Sequence, residues 1–72
     1  MKVNVIIEKD KHGYYAFCPE LKGCHSQGDS LDDVLENIKE AIQLYLETIS
    51  PEERDTYLNR EILTTSLEVS VA

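Results

Sequence analysis

Four groups of side chains in this sequence are of types that do chemistry. Cys18, Cys24 and His25 surround a turn bearing Pro19 and Gly23, with His12 in the loop before it. Thiolate and imidazole are the usual ligands of zinc. The close cysteine pair with which such sites commonly begin is missing, however, and cysteine packs equally well as a small apolar residue. A thiol nucleophile would need a base. Cys24 and His25 are adjacent on a short extended segment and so point to opposite faces, and no third group is identifiable to orient a Cys18–His25 pair. Glu8 and Asp10 could open a two-metal nuclease centre, but most other acids lie on one helix face or after it. No metal and no cofactor are therefore expected. Tyr14, Tyr15 and Phe17 could stack on single-stranded bases, yet the basic surround is thin, and strand packing explains them as well.

The fourth group is a row of acids. Asp29, Asp33, Glu36 and Glu40, continued by Gln43 and Glu47, recur in steps of four and three, so on a helix they share one face. Asp29 and Asp33 gain from the positive end of the helix dipole. Glu36 and Glu40 are like charges one turn apart, an arrangement that costs a few tenths of a kcal/mol. Folding alone gives no reason for that cost. The row reads either as a docking face for a basic protein or as a solvated face that keeps the domain soluble.

The elements that must position these groups follow from periodicity. Val3, Val5 and Ile7 alternate with polar neighbours and with Ile6, which predicts a first strand and a second face that is not wholly wet. The polar run from Lys9 to Gly13 predicts a hairpin loop. Residues 14–18 are aromatic-rich and predict a second strand, ended by Pro19. Residues 24–27 predict a short third strand. Ser30 has the character of a helix N-cap, with Asp33 three residues on, close to a capping box. Leu31, Val34, Leu35, Ile38, Ala41, Ile42, Tyr45, Leu46 and Ile49 then form one apolar stripe, so a helix is predicted over 31–49, ending before Pro51. Ser50, Pro51 and Glu53 repeat the start signal and predict a short helix or turn over 51–58. From Ile62 the period returns to two, with Leu63, Thr65, Leu67, Val69 and Val71 on one face, and a long final strand is predicted.

The predicted fold is α+β: β-β-β-α-β in one small domain over 1–72, a four-stranded mixed sheet of order 3-2-1-4 with one main helix on one face. The crossover to the last strand would be right-handed. The other sheet face has nothing to cover it, so that face or the edge of the last strand is expected to be used in assembly, as a homodimer or higher oligomer.

Composition sets the outer limits. A chain of 72 residues holds one domain, and a domain this small is marginal alone. Apolar residues make up 42% and charged residues 29%, ordinary for a globular protein. No apolar run approaches the roughly 20 residues of a membrane span. An alternating strand pattern follows Met1-Lys2 directly, so no signal peptide is expected, the cytoplasm is the expected location, and the thiols are expected to stay reduced. Fourteen acidic against seven basic residues give a net charge of −7. Such a domain repels phosphate backbones and attracts basic partners.

Three motifs occur in order: Gly13-Tyr14-Tyr15-Ala16, Pro19-Glu20-Leu21-Lys22-Gly23-Cys24, and Gly28-Asp29-Ser30-Leu31-Asp32-Asp33. With Asn37, Glu40-Ala41 and Leu44-Tyr45-Leu46, they resemble the HicB antitoxin family over residues 1–49. Lys22 stands where that family usually has proline. The resemblance implies a truncated RNase H-like fold that has lost its catalytic carboxylates. It also implies structural roles for Tyr14, Ala16, Pro19, Gly23, Cys24, Gly28 and Ser30. The implied role is non-enzymatic: binding and occluding HicA, a small basic RNA-cleaving toxin. A basic RNA-binding surface would meet Glu20, Asp29, Asp33, Glu36 and Glu40 by charge complementarity. Many family members continue into a DNA-binding domain. This sequence stops at Ala72, so direct operator binding is not expected. The alternatives are an orphan oligomeric binding module and a residual metal-dependent nuclease.

Overall fold

Asp10 faces Gly13 across a turn made by Lys11 and His12, and the first hairpin follows from that pairing. The computed structural model describes residues 1–71. In chain order its elements are β1 (Ile6–Asp10), β2 (Gly13–Phe17), β3 (His25–Gly28), α1 (Leu31–Glu47) and α2 (Pro51–Leu58). The sheet is antiparallel, in the order β1-β2-β3. Ile7 pairs with Ala16 and Ala16 with Ser26, which sets the inner face. Ile6 pairs with Phe17 and Phe17 with His25, which sets the outer one. The first strand thus begins at Ile6 rather than Val3. The hairpin closes so tightly that the expected loop residues Lys9 and Asp10 are drawn into the ladder, and the His12 N–H donates to Asp10 Oδ1 at 2.8 Å.

Between β2 and β3 the chain turns through residues 18–24. The Cys18 N–H donates to the Cys24 carbonyl at 3.0 Å, and the Cys24 N–H to the Leu21 carbonyl at 3.0 Å. Gly23 takes φ of +81°, a left-handed conformation that costs other residues roughly 1–2 kcal/mol. The turn drives Leu21 into the core at 0% exposure, although no periodicity marks it.

α1 starts where the sequence places it. The Ser30 side chain accepts from the Asp33 N–H at 3.1 Å. Gly28 lets the helix approach: a Cβ there would stand 2.6 Å from the Val34 nitrogen. Asn37 Nδ2 then pins the helix to β3 by donating to the Gln27 carbonyl at 2.8 Å. Val34, Ile38 and Ile42 pack with Ala16, Cys18, Leu21 and Cys24 as the core. α2 carries a full capping box between Ser50 and Glu53, with Pro51 in its first turn, but buries no residue completely.

The final strand is the main correction. Residues 61–71 form no strand, so the described residues of one chain hold three strands rather than the expected four, and the order 3-2-1-4 and an RNase H-like sheet are not assembled among them. Leu63, Leu67, Val69 and Val71 are 79–92% exposed. Alternation marks a face that wants cover, but a strand also needs a neighbour for its backbone groups. Within one copy this segment has neither.

Candidate functional site

α1 turns its two faces in opposite directions. Val34, Ile38 and Ile42 point into the core, while Asp33, Glu36, Glu40, Gln43 and Glu47 are all exposed on the far side, with Asp29 exposed just before the N-cap. At 100° per residue the centre of the acidic row lies about half a turn from the centre of the buried row, so it faces away from the sheet. Lys39 is the one cation on the helix, and the last turn carries no basic residue. The acids in the first turn suit the helix dipole, but Glu47 in the last turn opposes it. The result is a mostly negative ridge of exposed side chains.

Glu20 is set apart from this ridge. It is 3% exposed and sits in the 18–24 turn. Its Oε1 accepts from the Asn4 backbone N–H at 2.8 Å and from Asn4 Nδ2 at 3.2 Å. Arg60 donates to the carbonyls of Pro19 and Glu20 at 3.2 and 2.9 Å. Glu20 therefore ties the approach to β1 and the exit from α2 to one turn. Its carboxylate is engaged inside the molecule, whereas Asp29, Asp33, Glu36 and Glu40 are exposed. Neither Asn4 nor Arg60 stood out in the sequence, because their partner is remote along the chain.

The cysteine–histidine group is split by the sheet. Both thiols are free and buried. Burial pushes the Cys18 and Cys24 thiols up from their usual range, so they stay protonated and act as apolar side chains. His25 lies exposed on the outer face, its ring 5.8 Å from that of Tyr15, and His12 is exposed at the hairpin turn. Among the described residues no three His, Cys, Asp or Glu side chains gather closely enough to hold a metal. Glu8 and Asp10 are exposed, at the β1 edge of the sheet.

The motif residues have clear places. Ala16 is fully buried under α1, and half-buried Tyr14 packs against the core with Lys9 Nζ 5.3 Å above its ring. Pro19, Gly23 and Cys24 build the turn, while Gly28 and Ser30 admit and cap α1. The outer face presents Ile6, Tyr15, Phe17 and His25 with no described element over them, and Tyr15 lies 6.0 Å from Phe17 between ring centres. No helix among the described residues is long and apolar enough to cross a membrane.

Comparison with known proteins finds relatives along the chain. A UPF0150 protein of Helicobacter pylori strain J99 is 44% identical over 72 residues, covering 100% of both chains. A UPF0150 protein of Synechocystis is 55% identical over 49 residues, 67% of this chain and 62% of that one. One from Archaeoglobus fulgidus is 56% identical over 48 residues, 65% of this chain and 70% of that one. No solved structure gives a significant match. The profile of the HicB-like antitoxins of bacterial toxin–antitoxin systems matches residues 3–68, and so the chain belongs to the HicB-like antitoxin family.

Proposed function

We propose that this protein is the antitoxin of a toxin–antitoxin pair and silences a small basic RNA-cleaving toxin of the HicA type by covering its RNA-binding surface with the acidic face of α1. The observation that carries the reading is the exposed row Asp29, Asp33, Glu36 and Glu40 on a chain of this family. A surface that binds RNA must be positive, and the ridge offers it the opposite charge on a rigid, capped helix. Opposite potentials speed encounter and select the partner. The inhibitor acts by occlusion and supplies no reacting group. It would meet such a toxin in the cytoplasm, where messenger RNA is translated.

The test is co-expression with the product of any small adjacent reading frame, followed by purification and an RNA cleavage assay. A stable complex that leaves RNA intact, from a toxin that cleaves RNA when alone, is the expected result. A neighbouring product that neither binds this chain nor cleaves RNA would overturn the assignment.

A further inference from the structure

Two features left uncovered in a single copy match each other. One is the tail, residues 61–71, which stands away from the body and whose Leu63, Leu67, Val69 and Val71 are 79–92% exposed. The molecule measures 47 × 28 × 17 Å, and its radius of gyration of 14.3 Å exceeds the roughly 11 Å expected of a compact chain this long. The other is an apolar groove beside β1, lined by Val3, Val5, Leu35, Ile38, Lys39 and Ile42. The groove exists because α1 packs over β3 and β2 and leaves the β1 side open. The outer edge of β1 has no paired neighbour.

We propose that two copies of this chain exchange tails: residues 62–71 of one copy lie along the free β1 edge of the other as a fourth strand, and their aliphatic side chains fill its groove. Four observations select a second copy as the occupant. Residues 62–71 reach about 33 Å when extended and residues 3–10 about 26 Å, at about 3.3 Å per residue, so the tail spans the edge. The tail alternates with period two, so a strand paired with β1 turns one apolar row into the groove. Charge also agrees. The apolar face of the tail carries no charge and the groove only Lys39, so an uncharged strand suits it, whereas a strongly basic partner would find no counter-charge there. Finally, the family match runs to residue 68, so most of the tail belongs to the domain's own pattern. Because each copy carries both halves, the exchange is reciprocal and closes as a two-fold dimer.

The test is sedimentation equilibrium of the full chain without toxin, for the wild type, Leu67→Asp, Leu35→Glu, and an equal mixture of the two variants. Both substituted positions are exposed in the single copy, so the helical circular dichroism signal of the body should be kept. The expected result is a wild-type dimer whose dissociation constant rises about 100-fold in either variant, as when a central contact is lost. Mixing should restore association, because the Leu35→Glu copy can give its intact tail to the intact groove of the Leu67→Asp copy. A monomeric wild type, or a dimer indifferent to both single variants, would overturn the proposal. So would loss without recovery on mixing, which would mean that each tail packs on its own chain.

Discussion

β2 and the tail carry the same strand signature and end differently. β2 is paired on both sides, and its inward Ala16 is fully buried beneath α1. The tail alternates over more residues, yet its Leu67 is 81% exposed. Alternation states which face needs cover. The covering group must come from elsewhere, and for β2 the chain supplies two strands and a helix. For the tail one copy supplies nothing. The body and the tail thus divide the molecule into a part stable by its own packing and a part that waits for a neighbour.

Substitutions should expose this difference most sharply in apolar positions. Ile38→Ala removes a side chain that is 2% exposed at the centre of the core, and should cost about 2–5 kcal/mol in urea unfolding. Leu67→Ala, measured in dilute monomer, should stay within about 0.5 kcal/mol of the parent. Comparable losses would mean that the tail is packed within its own chain.

The glycines sharpen the comparison inside the body. In Gly28→Ala the new Cβ would lie 2.6 Å from the Val34 nitrogen and 3.0 Å from Asp33 Cβ, so α1 must move off β3 at a cost of about 1–3 kcal/mol. Gly23→Ala meets open space and should cost about 1 kcal/mol, from its positive φ alone. Thermal melts of the two variants should rank them in that order.

The smallest effect is alkaline. Burial raises the pKa of Cys18 and of Cys24 in the folded state. The unfolded chain gives up these protons first, so above the free-thiol value of about 8.5 the native state binds more protons and stability falls as pH rises. Below that value the contribution is constant. The urea midpoint should drop between about pH 7 and about pH 9.5, and replacing both thiols with Ala should flatten that slope even though it lowers the midpoint.

Much of the fold is legible in local signals. The Ser30 cap and the apolar stripe place α1 within two residues of its observed end, and Ser50, Pro51 and Glu53 mark α2 at its observed bounds. The Pro19 to Cys24 turn announces itself by its residue types. What escapes the sequence is non-local. Glu20 looks like one more surface acid, because Asn4 and Arg60 lie 16 and 40 residues away along the chain. Leu21 is core through a turn, and turns have no period. The tail's pattern is read correctly as apolar on one face, but pairing depends on a neighbour that the pattern does not name. The acidic ridge was legible in full, since helical spacing and charge alone define it.

The claim that this ridge grips the toxin is tested most directly by its affinity for the toxin in the wild type and in the variant with Asp33, Glu36 and Glu40 all changed to Lys. These side chains are exposed, so the variant should stay folded, its melting lowered only slightly by the lost first-turn acid, worth about 0.3–1 kcal/mol at a helix N-terminus. The expected result is binding weakened on the order of 100-fold, with RNA cleavage restored, as like charges now face each other across the interface. Equal affinity in a folded triple variant would contradict the account and move the contact to the open face of Ile6, Tyr15, Phe17 and His25.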